Sequence, residues 1–335
     1  FWTYAEFGEK YSLYAFLSSA LILAAVNIKK EYIAVYLFLF GIAITHHIAI
    51  IVFLIPSFYL LYKTINKKYL KKNYVLIFVS FIVPLLLYLY LPIRARANPP
   101  LNWGNPETIG KFISHVTAKD YRYAMFSADL IEILSRLKDQ IIINFIHEFT
   151  IIGFLIGIIG CIYLFYKNKN IAVYLSLIAG FNILIFINYN ILDLQNIGTY
   201  YFASFVVFAI WIGVGIWWII DNIKYRRLVL AIFLLLGLSF IMINYEDVDR
   251  SNDYLTYDFG CNLIKSVNNN SVLIVNGDMP LFSLWYLQYA EGHNKNICII
   301  PGYRINILET IKNNLKSSEV YLSYYPYESA AWGDF

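Results

Sequence analysis

Arg94 and Arg96 stand two and four residues after Pro92, directly behind an apolar run from 74 to 92. A guanidinium offers paired N–H donors that match a phosphate, so this pair is suited to grip the phosphate of a lipid-borne ligand. The same placement also serves an arginine that snorkels to an ordinary headgroup, and spacing alone does not choose between the two. Glu9, with Glu6 almost one helical turn earlier, supplies a carboxylate that can accept a proton, or simply an exposed acid beside Lys10. His46 and His47 stabilise a turn at the membrane edge or line a ligand pocket; adjacent histidines face different ways on a helix, so a two-histidine metal site is not expected. Trp103 suits an interfacial anchor or a platform for a sugar or an isoprene chain. His115, Tyr121 and Arg122 read as solvated loop residues or as the wall of an acceptor groove. Asp278 follows a strand directly, where open α/β sheets bind ligands, although Asn-Gly-Asp is also ordinary turn chemistry.

The elements that hold these residues are set by composition. With 59% hydrophobic and 14% charged residues, the chain cannot bury its apolar surface in one water-soluble core. Apolar runs at 11–28, 32–45, 47–62, 74–92, 150–166, 171–189, 199–220 and 227–244 predict a polytopic α-helical membrane protein with about eight crossings. The stretch from Tyr32 to Tyr62 is long for one crossing and short for two. Lys29 and Lys30 precede it and Lys63, Lys67, Lys68, Lys71 and Lys72 follow it, so the positive-inside rule requires a reversal, placed at Thr45–His47. Lys167, Lys169, Lys224, Arg226 and Arg227 join the same basic side, whereas the opposite short loop holds only Asp193. Both ends of the chain then lie outside the cytoplasm.

Two large segments fall on that outer face: the loop 93–149, within a membrane domain 1–244, and an extracytoplasmic α/β domain, 245–335, with 11 acidic and 6 basic residues. In the loop, Asn105 reads as a helix N-cap before Pro106, with Ile109, Phe112, Ile113 and Val116 on one face of a helix lying on the membrane surface. A second amphipathic helix is expected over 128–147. In the tail, "SVLIVNG" and "NICIIPG" read as strands and "VYLSYY" as a third, with helices near 281–289 and 304–315. Cys261 and Cys298 either pair or remain free thiols, and Cys161 lies inside a span. No span carries Asp, Glu, Lys or Arg in its middle and only Asn182 is polar near mid-span, which argues against an ion-coupled or lipid-substrate transporter.

The stretch "YLPIRARANPPLNWGNPETIGKFISHVTAKDYR" closely resembles the signature of membrane proteins related to protein O-mannosyltransferases, of the GT-C class. "FWTYAEFGEKYSLYAF", "FLFGIAITHHIAIIVFLIP" and "NGDMPLFSLWYLQYAEG" resemble that family in order and spacing, and "YYFASFVVFAIWIGVG" does so more weakly. Relatives carry further N-terminal helices and a first outer loop with an acidic residue, so the chain is expected to be a fragment. Many also have Asn-Asp where Met279 and Pro280 follow Asp278 here.

The resemblance implies a glycosyltransferase that moves a sugar, mannose by family, from a polyprenyl-phosphate donor to Ser or Thr of an exported protein. The catalytic base is expected in the first outer loop that relatives carry; Glu9 would be catalytic by assisting acceptor activation or holding a cation, and Arg94, Arg96, Trp103, Asn105, His47, His115, Tyr121, Arg122 and Asp278 would bind substrates. Membrane lipid, the lipid-linked sugar and a protein acceptor are the expected partners; no nucleic acid is. The active face is expected to be periplasmic or lumenal, in an inner, plasma or ER membrane. Some GT-C enzymes use a divalent metal and others do not, and no ligand cluster decides it here. A non-enzymatic membrane scaffold is the alternative, with a transporter behind it.

Overall fold

A computed structural model describes residues 10–138, 142, 144–189, 194–302, 307–314 and 317–323. It divides into two compact units, Phe1–Val248 and Asp249–Phe335.

The first unit is helical. Its apolar runs form α1 (Tyr11–Val26), α2 (Ile33–His46), a 3₁₀ stretch (Ile48–Phe53) leading into α3 (Leu54–Thr64), and the short basic α4 (Lys67–Lys72). Next come α5 (Tyr74–Leu85), a 3₁₀ stretch (Leu86–Leu89) and α6 (Tyr90–Arg96), then α7 (Ile109–Val116) and α8 (Leu130–Arg136) in the loop. The remainder is α9 (Asn144–Lys167), α10 (Lys169–Phe186), α11 (Phe202–Asn222) and α12 (Arg226–Val248). Among the described residues, five helical segments are long and apolar enough to cross a membrane: Tyr74–Arg96, Asn144–Lys167, Lys169–Phe186, Gly198–Asn222 and Arg226–Val248. Tyr11–Val26, Ile33–His46 and Ile48–Thr64 are apolar but shorter. The 3₁₀ start of Ile48–Thr64 matters, because its rise of about 2.0 Å per residue stretches the segment to about 28 Å, near the thickness of a hydrocarbon core.

Contacts fix the direction of the helices. Gly41 of α2 packs so closely on α5 that a Cβ there would lie 2.8 Å from the Phe81 carbonyl oxygen. Further along both helices, the Tyr88 hydroxyl donates to the Ile44 carbonyl at 2.8 Å. α2 and α5 therefore run parallel, and the segment between them must carry the chain back. The reversal sits at His47, whose extended backbone (φ −149°, ψ 128°) separates α2 from the 3₁₀ stretch. α9 and α11 are parallel too: Phe145 meets Phe205, Gly157 meets Phe208, Gly160 meets Trp211 and Tyr163 meets Trp217, in ascending order. A Cβ on Gly160 would come within 1.8 Å of the Trp211 carbonyl oxygen, so only glycine admits this backbone approach.

One expectation for the loop is corrected. The first loop helix begins at Ile109 and is capped by Thr108, whose hydroxyl accepts from the Lys111 N–H at 3.4 Å. Asn105 is not the cap; it sits in the left-handed region at φ 39°, in the preceding turn. Of the helix expected over 128–147, the described residues from Leu130 onward are helical, as α8 and the start of α9, with 139–141 and 143 outside the described residues. α9 itself breaks at Thr150 (φ 60°, ψ 165°), whose hydroxyl accepts from the Gly153 N–H at 3.3 Å and so recaps the helix before it enters the span.

The second unit holds α13 (Leu255–Lys265), β1 (Val272–Val275), α14 (Asp278–Trp285), a π turn (Tyr286–Ala290), β2 (Cys298–Pro301), α15 (Ile307–Asn314) and β3 (Val320–Leu322). The strands form a parallel sheet in the order β2-β1-β3. β1 is buried on both faces, as its unbroken apolar run requires: Leu273 and Val275 pack with Leu281, Leu284 and Leu287, and Val272 and Ile274 with Ile311. Cys161, Cys261 and Cys298 are all free, so the pairing of the two tail cysteines does not occur.

Candidate functional site

The helix directions bring the start of α1, the α2 turn, the end of α10 and the start of α11 to one end of the bundle. Basic residues collect between the other ends. At the first end, the Lys10 carbonyl lies 2.9 Å from His46 Nε2, so His46 carries its proton on that nitrogen. His47 Nδ1 accepts from the Ala49 N–H at 3.2 Å and caps the 3₁₀ stretch, which leaves its Nε2 as the protonated nitrogen. Burial first, then the nearby charges of Lys10 and His46, push the His47 imidazole down to about 4. It is therefore neutral near pH 7, a hydrogen-bond donor rather than a cation. The His46 and His47 ring centroids are 6.5 Å apart.

Aromatic rings close around His47. Tyr14 lies 5.2 Å and Tyr11 6.3 Å from its ring, and Tyr11 is edge-on to Phe202 at 5.9 Å and to Tyr200 at 6.5 Å. Tyr200 continues the cluster to Phe186 and Tyr189. Tyr121 of the loop lies within electrostatic reach of Tyr189 and Tyr200.

Arg94 and Arg96 are exposed on the last turn of α6. The Tyr88–Ile44 bond places this helix beside the His46 end of α2, so the two guanidinium groups branch from backbone about 9 and 12 Å further along the axis. Between the arginines, Ala95 is buried and its carbonyl accepts from Asn102 Nδ2 at 3.2 Å. Asn102 also donates to Asn105 Oδ1 at 2.9 Å, Asn105 to Glu107 Oε1 at 3.1 Å, and Glu107 pairs with Lys111 at 3.4 Å. This polar ladder ties the arginine-bearing helix end to α7. It explains why so many asparagines follow the span. Gly104 (φ 70°) lies against the His115 imidazole, since a Cβ there would sit 2.8 Å from Nδ1, so Trp103, Asn105 and His115 belong to one folded loop. Arg122 Nε donates to the Thr117 carbonyl at 3.3 Å across the left-handed Ala118 turn.

Asp278 is the exposed first residue of α14 in the second unit, after Gly277 at φ 93°. Glu6, Glu9 and Asp193 lie outside the described residues. Among the described residues no group of three or more His, Cys, Asp and Glu side chains is placed to hold a metal.

Two polar residues gain roles that the sequence reading did not give them. Asn182, buried in α10, accepts at Oδ1 from the Ser204 N–H at 3.2 Å and donates from Nδ2 to the Tyr200 carbonyl at 2.9 Å. It caps the first turn of α11 from a neighbouring helix. Arg136, 5% exposed, pairs with Glu132 and donates to the Ile187 and Tyr189 carbonyls at 3.1 and 3.3 Å, just past the end of α10. The i,i+4 spacing of Glu132 and Arg136 on an expected helix was the available signal.

Comparison with known proteins points the same way in both units. The model of TMEM260-associated domain 2 matches residues 256–306. The protein O-mannosyl-transferase tmem260 of Dictyostelium discoideum is 25% identical over 250 residues, covering 64% of this chain and 30% of the relative. The protein O-mannosyl-transferase TMEM260 of Mus musculus is 21% identical over 264 residues, covering 72% of this chain and 37% of the relative. The chain thus spans about a third of the length of the curated relatives it matches. No solved structure matches it. The resemblance read from its motifs therefore holds up in comparison: the chain is similar to TMEM260-like protein O-mannosyltransferases, in its membrane helices and in its tail.

Proposed function

We propose that this integral membrane protein is part of a GT-C glycosyltransferase that moves mannose from a polyprenyl phosphate to a Ser or Thr hydroxyl of an exported protein. The acceptor oxygen attacks the anomeric carbon as the bond from that carbon to the phosphate oxygen breaks. The electron pair leaves with the polyprenyl phosphate, and the hydroxyl proton passes to a carboxylate of the first outer loop that relatives carry, with Glu9 assisting acceptor activation. Arg94 and Arg96 bind the phosphate and offset the charge that grows on it; removing one such group costs about 3 kcal/mol of transition-state stabilisation. Neutral His47 donates a hydrogen bond in the donor pocket, Trp103 stacks on the sugar or the isoprene chain, and Asn105, His115, Tyr121 and Arg122 shape the acceptor side. Asp278 is assigned to substrate binding from the tail. The face is the non-cytoplasmic one, opposite the basic loops.

The observation that supports this reading is the polar ladder from Ala95 to Lys111, which ties the helix end bearing Arg94 and Arg96 to α7. The test is transfer of labelled mannose from polyprenyl-phosphate mannose by the full-length protein. Arg94→Ala and Arg96→Ala are expected to lower turnover about 100-fold; unchanged turnover in both removes the arginines from the site.

A further inference from the structure

Helix α8 is built inside out. Glu132 and Arg136, on one face, turn toward the protein and the end of α10, while Leu130 (71% exposed), Ile131 (80%) and Leu134 (59%) turn away from it. A helix that lies on a protein in water shows the reverse order. Its position along α10 is also fixed. Phe126 N–H donates to the Asn188 carbonyl at 2.9 Å, Met125 bridges Tyr189, and Arg136 reaches the Ile187 and Tyr189 carbonyls. These partners lie one to three residues beyond Phe186, the last residue of a candidate span, so the strap sits within about 5 Å of the end of that helix. α7 adds Ile109, 80% exposed, and Ile113 one turn later.

We propose that the segment from α7 to α8 is an interfacial strap whose apolar face is immersed in the lipid of the membrane leaflet on this side of the bundle. Arg136 and Glu132 anchor it to the end of α10, and Leu130, Ile131 and Leu134 enter the acyl boundary. Bilayer lipid is the occupant because inverted polarity and headgroup-level depth occur together here. The proposal rests on the membrane reading and is independent of the transferase reading.

The test uses the full-length protein with its native cysteines replaced by serine, reconstituted in phosphatidylcholine nanodiscs. Ile131→Cys, Leu134→Cys and, as a water-facing reference, Lys119→Cys are each labelled with an environment-sensitive fluorophore. At 131 and 134, lipids spin-labelled near the headgroup are expected to quench strongly, and iodide to quench at least 3-fold less than at 119. Iodide quenching equal to that at 119 at both positions would make the strap a hydrated loop. Protection from iodide without quenching by lipid would mean a protein covers it; either result overturns the proposal.

Discussion

The hydroxyls of Tyr36 and Ser57 are hydrogen-bonded to each other across a hairpin whose tip is His46–His47. One lies ten residues before His46 and the other ten after His47, so the bond registers the ascending helix against the returning one. Ser57 also donates to the Phe53 carbonyl at 2.5 Å, which means the shared proton arrangement has Tyr36 donating whenever Ser57 bonds its own helix. Tyr36→Phe is expected to lower stability by about 1 kcal/mol and Ser57→Ala by about 2 kcal/mol, since the latter strands a buried tyrosine hydroxyl. Thermal unfolding in detergent, followed by tryptophan fluorescence, checks the order.

Gly160 gives a sharper test of the bundle. Any Cβ there collides with backbone of α11, whereas Gly213 has nothing within 4 Å of the place its Cβ would take. Gly160→Ala should cost about 3 kcal/mol or abolish folded expression, and Gly213→Ala should be neutral or mildly stabilising. Fluorescence-detected size exclusion separates the two outcomes.

His47 predicts a dependence on pH. Its folded pKa, about 4, lies below the ordinary value of 6.5, so the unfolded chain binds the proton more readily. The stabilisation is complete above pH 6.5 and is lost as pH falls toward 4, up to about 3 kcal/mol at 1.4 kcal/mol per pH unit. His47→Gln should flatten this part of the stability profile relative to wild type. Parallel profiles for the two proteins between pH 6.5 and 4 would show that His47 is not held neutral.

Arg136→Gln should release the strap, because the Ile187 and Tyr189 carbonyls lose a buried cation at a helix end. A cost of about 2 kcal/mol is expected, with faster hydrogen exchange over 125–136 and at the end of α10. Arg136→Lys should recover only part of it, since one ammonium cannot span both carbonyls and Glu132 as a guanidinium does.

The apolar runs, the His47 reversal and the three strands were legible because hydropathy, charge and turn chemistry act locally. What was not legible depended on partners distant in sequence or on competition between neighbours. Asn105 has the letters of an N-cap, yet its side chain is engaged by Asn102 and Glu107, and Thr108 takes the cap. Asn182 looks like a mid-span polar site until Ser204 and the Tyr200 carbonyl are seen to occupy it. Arg136 turns toward the Ile187 and Tyr189 carbonyls, which periodicity does not reveal, because it tells which residues share a face but not which face meets water.

The central claim is that the ladder carrying Arg94 and Arg96 lies across the membrane from the basic loops. In a cysteine-free background, Asn98→Cys and Lys68→Cys can be probed with an impermeant maleimide on sealed vesicles of the native membrane whose non-cytoplasmic face is outward. The account predicts labelling at 98 in intact vesicles and at 68 only after permeabilisation. Labelling of both from the same side, or the reverse pattern, would contradict it.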